Sequence, residues 1–247
     1  AWTVQLEAKA LGKLYGIEPD DEDYFKPPKR NREDIKRSRS DCVRDEHFSK
    51  TNNDELIKFC RGTGLRRREL GELRGKDLVR CEQIAADAAQ LEQIPEEERA
   101  PSVTKRLEML RDAMLFPQEW FIHVRNGKGG RERLSPIIGK NAAQIVERIA
   151  DTPAEEKVWQ HIHTSADIHA YRAEYATAIY KAYARPIGEI PYDRVNKGTE
   201  KRFQGDVYTC RKDEAGKKLD KAAMLLCSKA LGHNRISVVA DNYIRGL

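Results

Sequence analysis

The sequence predicts an α+β fold, mainly α-helical, with a small antiparallel β-sheet. Three observations predict it. In several stretches apolar residues recur every three or four positions, the spacing of one helix face. At residues 120–137 the period drops to two around a glycine-rich turn, which signals a β-hairpin. Of the 247 residues, 39% are hydrophobic and 34% charged, enough apolar side chains for a core beneath a heavily charged surface.

Residues 2–15, WTVQLEAKALGKLY, place Val4, Ala8, Leu11 and Tyr15 on one helical face, and Gly16 can end that helix. The following stretch, IEPDDEDYFKPPKRNREDIKRSRSD, has no periodicity and two adjacent prolines. It is expected to be a linker or an extended crossing segment. One helix cannot bury its own apolar face. The helix is therefore expected either to be the remnant of a larger N-terminal domain or to dock on the main body; residues 1–45 hold it and the basic linker, and residues 46–247 are the compact domain.

Within 46–247, TNNDELIKFCRGTG offers Asn or Asp caps, an apolar face of Leu56, Ile57, Phe59 and Cys60, and a glycine stop. A short helix is expected over 66–73, and helical composition continues over 82–115 with Pro95 and Pro101 as interruptions. Trp120, Ile122 and Val124 alternate into the glycine-rich turn, and Leu134 and Ile137 resume after it. Helical spacing returns over 141–150 and 168–184. A polar, glycine-punctuated insert spans 185–219, with room for one short hairpin around DVYTCRKDEAGKKLD, before Asp220 caps the helix KAAMLLCSKAL.

No stretch approaches the roughly 18 apolar residues that a membrane span needs, and no basic start precedes an apolar leader. A soluble, cytoplasmic protein is expected. Cys42, Cys60, Cys81, Cys210 and Cys227 form no C-x-x-C pair and no dense disulfide set, which points to reduced thiols. Net charge is +5, and its distribution says more than its size. EPDDED at 18–23 is acidic, whereas 26–39 holds seven Lys or Arg. That run is either a solvated linker or a segment whose Lys29, Arg30, Lys36 and Arg37 touch phosphates and displace counterions.

Four separated stretches carry polar residues that local structure does not require. In GTGLRRREL (62–70) glycines turn the backbone just before a helix start, where amide N–H groups favour an anion, and Arg66 opens that helix. In GKGGRERLSP (127–136) three glycines surround Lys128 at the hairpin tip, and the P-loop pattern is absent. In IHAYRAEYA (168–176) His169 and Arg172 are three apart and share a helix face. LGHNRISVVADNYI (231–244) holds His233 and, ten residues on, Tyr243. Singly, each has an ordinary reading: a surface arginine, a solvated turn, an exposed His/Arg pair, a core tyrosine.

Their order is what carries information. TGLRRREL, GKGGRER, HAYR, LGH and Tyr243 together resemble the catalytic domain of the tyrosine recombinases, the phage-integrase family, over roughly residues 46–247. The resemblance implies a mainly helical catalytic domain with its small antiparallel sheet at one edge, preceded by the end of a core-binding domain. It implies site-specific DNA cleavage and rejoining through a 3′-phosphotyrosyl intermediate, with no metal or other cofactor. Arg66, Lys128, His169, Arg172, His233 and Tyr243 would be the catalytic set, with Tyr243 as nucleophile. Lys128 would protonate the leaving 5′ oxygen, His169 would take or relay the tyrosine proton, and His233 would hydrogen-bond the scissile phosphate. The partner implied is double-stranded DNA at specific attachment or recombination sites, bound by a tetramer on paired sites and away from any membrane. The biological setting implied is integration, excision or transposition of a mobile element such as a prophage, near the nucleoid of a prokaryote.

The chemistry accounts for the residue types. A phenol with an ordinary pKa near 10 needs an anion-stabilising site to attack phosphate near neutral pH. Arg66 and Arg172 offer planar donor forks to the non-bridging oxygens. Glu69, three residues after Arg66, reads as a buried partner for an arginine. Two positions depart from the family pattern: the His233–Tyr243 spacing is one longer than usual, and Tyr171 stands where leucine is frequent, read as core-facing. The alternatives are a type IB topoisomerase, which uses similar chemistry, and a non-catalytic DNA-binding module on the same fold. His161 and His163 would share a face on a strand but lack a third ligand nearby, and Trp120 and Trp159 read as core or partly buried anchors.

Overall fold

A computed structural model describes residues 2–26, 48–211, 214–233 and 235–244. The basic positions Lys29, Arg30, Lys36 and Arg37 lie outside the described residues. The chain divides into two compact units, Ala1–Asp41 and Cys42–Leu247. In the first, helix α1 (Trp2–Tyr15) ends where Gly16 turns to φ +69°, and the Ile17 amide donates back to the Gly12 carbonyl at 2.8 Å. Of the expected apolar face only Ala8 is buried; Val4, Leu11 and Tyr15 are exposed.

In the second unit α2 (Asp54–Thr63), α3 (Arg67–Glu72), α4 (Cys81–Glu92), α5 (Pro101–Ala113), α6 (Ala142–Ala150), α7 (Ile168–Tyr183), α8 (Lys221–Leu231) and α9 (Ile236–Asn242) surround small antiparallel sheets. The architecture is α+β with helices dominant. Pro101 opens α5 rather than breaking it, because its fixed φ and missing N–H suit a first helical position. Asp220 caps α8 as expected, accepting the Ala222 amide at 2.9 Å. Asn53 precedes α2 without capping it; its side-chain amide donates to the Ser49 carbonyl at 3.0 Å instead.

The main sheet has the order β1 (Leu78–Arg80), β2 (Trp120–Val124), β3 (Arg133–Pro136), with Ile122 opposite Ser135 and Val124 opposite Arg133. The period-two signal understates its burial. Ile122 and Val124 join one hydrophobic cluster with residues of α2 and α6, while Phe121 joins a second with residues of α4, α5, α8 and α9. Helix α7 bridges the two: Ile168 and Tyr171 pack in the first cluster, and Tyr175, Ala176 and Ile179 in the second. Tyr171 is thus core-facing, and Trp159 is buried beside Phe59.

The insert holds two hairpins where one was expected. β6 (Val207–Thr209) pairs with β7 (Lys218–Asp220), and ahead of them β4 (Arg194–Val195) pairs with β5 (Arg202–Phe203). The extra turn is an Asx-type turn: Asn196 Oδ1 accepts the Gly198 amide at 2.9 Å and the Asn196 carbonyl accepts Thr199 and Glu200. Its strands of two residues are too short for periodicity to register. His161 and His163 lie in irregular chain, not a strand; the His163 ring meets Phe48 edge-on, and its Nδ1 accepts the Ser165 amide at 3.2 Å. Cys60, Cys81, Cys210 and Cys227 are free thiols, and no described helix is long and apolar enough to cross a membrane.

Gly64 ends α2 at φ +61°, and a Cβ there would lie 2.2 Å from the Tyr175 ring. Gly139 has φ +84° with open space around it. Gly139→Ala should cost about 1–2 kcal/mol of urea-measured stability from backbone strain alone. Gly64→Ala should cost about 3 kcal/mol or more, because strain and overpacking combine. Equal losses would mean that the Tyr175 ring yields freely.

Candidate functional site

The site is built around Glu69, the third residue of α3. Its Oε2 accepts the backbone amide of Arg66 at 2.8 Å, and its Oε1 accepts Arg66 Nη1 at 2.7 Å. Arg133, reaching in from β3, donates Nη1 to Oε1 at 3.0 Å and Nη2 to Oε2 at 2.7 Å. A carboxylate offers about four acceptor positions, and these four donors fill them. Burial alone would raise the pKa of Glu69, but the hydrogen bond and charge of Arg133, then the charge of Arg172 and the Arg66 amide, hold it far below the usual carboxylate range. The anion position expected at the start of α3 is therefore occupied from within the chain, by this side chain.

Arg172, only 1% exposed, projects from the first turns of α7 into the space between the clusters. It donates Nη1 to the Gly64 carbonyl, Nη2 to the Leu231 carbonyl and Nε to the Tyr243 hydroxyl at 3.4 Å. Both carbonyls belong to C-terminal ends of helices, α2 and α8, each closed by a left-handed glycine, Gly64 and Gly232. Terminal carbonyls lack intrahelical donors and carry the negative end of the helix dipole. They suit a buried guanidinium. Burial and then the nearby Arg133 push the Arg172 pKa down to about 10, partly opposed by Tyr243, so the group remains charged at neutral pH. An arginine has five N–H donors; with three engaged, one remains on each terminal nitrogen.

Gly232 also makes room for Arg133, whose Nε donates to the Ala230 carbonyl at 3.1 Å; a Cβ at 232 would lie 2.9 Å from Arg133 Cδ. The turn at Gly232 presents His233, whose amide donates to the Ser228 carbonyl at 2.8 Å and whose carbonyl accepts Ser228 Oγ at 2.8 Å. Helix α9 then carries the chain to Tyr243 at its C-terminal cap. The ten-residue spacing still closes: Tyr243 Oη lies 3.2 Å from His233 Nε2, with ring centroids 5.3 Å apart. Burial, then the charges of Arg172, Arg66, Arg133 and Lys128, push the His233 pKa down to about 3, so the imidazole is neutral.

Lys128 is exposed at the β2–β3 tip, where Gly129 and Gly130 take positive φ and the Gly127 amide donates to the Arg131 carbonyl at 2.8 Å. His169 is the second residue of α7, exposed, one turn ahead of Arg172. Of the six expected residues, Arg66, Arg172, His233 and Tyr243 meet in one cluster, while Lys128 and His169 stand exposed on connected elements. The free forks expected of Arg66 and Arg172 are partly spent on Glu69, Leu231 and Gly64. Arg133 does not stand out in the sequence. Its one available signal is Glu69, a carboxylate on the buried side of a short helix that needs more than one cation.

Chemically, three guanidinium groups against one carboxylate leave a net positive, largely water-excluded site beside a phenolic hydroxyl. Preorganised donors of this kind stabilise developing negative charge far better than water does. Among the described residues no group of three His, Cys, Asp or Glu is placed to hold a metal ion. Comparison with family models, with curated proteins and with solved structures finds no match for the chain.

Glu69→Gln should cost about 3–5 kcal/mol at neutral pH, since it leaves buried guanidinium groups uncompensated. The folded pKa of Glu69 lies below an unfolded value of about 4.3, so its stabilisation is present above that pH and is lost as pH falls toward the folded value. Urea titrations should show native stability falling more steeply than that of Glu69→Gln below about pH 4; parallel curves would contradict an ionised Glu69. Separately, nitrogen NMR of the His233 ring should report a neutral imidazole from pH 8 to about pH 4. A midpoint near the ordinary value would contradict a buried ring among cations.

Proposed function

We propose that this chain cleaves and rejoins DNA strands at specific sites through a covalent tyrosyl intermediate, as tyrosine site-specific recombinases do. The observation that carries the reading is the position of the Tyr243 hydroxyl, 3.2 Å from His233 Nε2 and 3.4 Å from Arg172 Nε, beside a cluster with more guanidinium groups than carboxylates. Tyr243 Oη attacks the phosphorus of a backbone phosphodiester, the P–O5′ bond breaks, and the 3′ phosphate stays joined to the protein. The remaining N–H groups of Arg66 and Arg172 hold the non-bridging oxygens, with His233 as a further neutral partner. His169 takes or relays the phenolic proton, and Lys128 gives one to the departing 5′ oxygen. Attack by a 5′ hydroxyl reverses each step, so the bond energy is kept.

The order of the motifs along the sequence supports the same reading. The biological role proposed with it is integration or excision of a mobile element by a tetramer on paired duplex sites, in the nucleoid of a prokaryote.

The test uses a plasmid carrying the DNA that flanks the gene, with covalent protein–DNA adducts trapped by detergent. The native chain should form a 3′-linked adduct; Tyr243→Phe should form none while still binding DNA. Lys128→Ala, at an exposed position, should slow cleavage about 10²–10³-fold. A 5′-bridging sulfur, which leaves without a proton, should restore most of that rate. An adduct with Tyr243→Phe would overturn the nucleophile assignment. Relaxation of plasmids lacking the flanking DNA would favour a topoisomerase, and binding with no adduct would favour a DNA-binding module.

A further inference from the structure

The insert between α7 and α8 holds a feature that the site chemistry leaves unused. All four strand residues of the β4–β5 ribbon are exposed. Its register sets Arg194 opposite Phe203 and Val195 opposite Arg202. Directly opposite residues share a face, so each face carries one guanidinium beside one apolar side chain. Val195 is 51% exposed, Phe203 44% and neighbouring Tyr192 53%, so none of the three is used as core.

A lone two-stranded hairpin is marginal in water, yet this one is fixed at its base by polar bonds. Arg202 Nη2 donates to the Tyr192 carbonyl at 2.7 Å, and Asp193 Oδ1 accepts the Gly205 amide at 2.6 Å. Buried Gln204 donates to the carbonyls of Ile187 and Ile190 at 2.9 and 2.8 Å. Lys221, the first residue of α8, ties the base from both ends of its own structure, its ammonium to the Gly205 carbonyl and its amide to the Asp206 carbonyl. The base is pinned and the strands stand in solvent.

Residues 192–203 hold four cations, Arg194, Lys197, Lys201 and Arg202, against Asp193 and Glu200. Among the described residues neither Lys197 nor Lys201 has an ion-pair partner. A protein-docking face gathers its apolar residues on one side and is depleted in lysine at its centre. Here cations flank the apolar residues on both faces and crowd the tip. That arrangement fits a partner that surrounds the ribbon with negative charge on two sides.

We propose that the β4–β5 ribbon is a DNA-contacting element that seats in a groove of a duplex. The major groove, about 12 Å wide, admits a two-stranded ribbon. Arg194, Lys197, Lys201 and Arg202 meet the phosphates that wall the groove, while Val195 and Phe203 lie against sugars and base edges. The choice of DNA as partner rests on the function proposed above.

The test is the affinity of the full chain for a random-sequence duplex, measured against salt concentration. Replacing Arg194, Lys197 and Lys201 by alanine, and leaving Arg202 to hold the base, should flatten the slope of log affinity against log salt by about 2–3, near 0.9 for each phosphate no longer neutralised. Phe203→Ala should weaken binding about tenfold, the lower end for burying one aromatic side chain, with the slope unchanged. Because these side chains are exposed and none of them makes the bonds that pin the base, thermal unfolding should not move, and it serves as the folding control. Unchanged affinity and slope in both variants, with the native chain binding duplex, would overturn the proposal. So would loss of binding to phosphatidylserine vesicles in place of DNA, or a change only in self-association. Ribbon-dependent binding without any covalent adduct would leave the proposal standing and remove the cleavage reading. Adduct formation with ribbon-independent affinity would do the reverse, and no binding of duplex by the native chain would remove both.

Discussion

Two buried guanidinium groups, those of Arg133 and Arg172, and the partly buried one of Arg66 lie side by side because one carboxylate, Glu69, is held among them. Like charges in a low-dielectric interior repel, and each also loses its hydration. Glu69 offsets this by accepting four hydrogen bonds, two from Arg66 and two from Arg133, with Arg172 Nη1 at 4.0 Å. The geometry links pieces of chain far apart in sequence: the start of α3, strand β3 and the first turns of α7. The compensation is incomplete, and the positive excess that remains is what gives the Tyr243 hydroxyl its surroundings.

The second support is the ends of helices. An α-helix leaves its last carbonyls without donors, and most helices give them to water or to a capping turn. In this fold α2 and α8 stop at left-handed glycines, and the carbonyls of Gly64 and Leu231 accept the two terminal nitrogens of Arg172. The two hydrophobic clusters bridged by α7 hold those helix ends in place. Core packing therefore sets the orientation of a charged group that is itself poorly suited to a core.

Much of this is legible in the sequence where the signal is local. The helices, the hairpin at 120–137 and the cap at Asp220 each follow from spacing or from one residue type, and the structure contains them. Arg66, Arg172, His233 and Tyr243 stand out through motif order, and the cluster they form is a tertiary fact. Arg133 stays hidden because it sits between Glu132 and Leu134 in a strand whose four residues are all buried, so alternation cannot mark it. The β4–β5 ribbon is invisible for the opposite reason, since two-residue strands with exposed side chains have no hydrophobic period to read.

The late position of α8 has a consequence for how the protein is made. Glu69, Arg133 and Arg172 are synthesised before the carbonyls of Ala230 and Leu231 that satisfy two of the arginines. Until α8 emerges and docks, Arg133 and Arg172 lack the carbonyls of Ala230 and Leu231, and water takes those two places. Tyr243 is translated later still, and its hydroxyl meets His233 and Arg172 only after the pocket has closed around them. A ribosome-bound chain thus carries most of the charged side chains with no assembled cluster, and the polar surroundings of the Tyr243 hydroxyl belong to the finished fold.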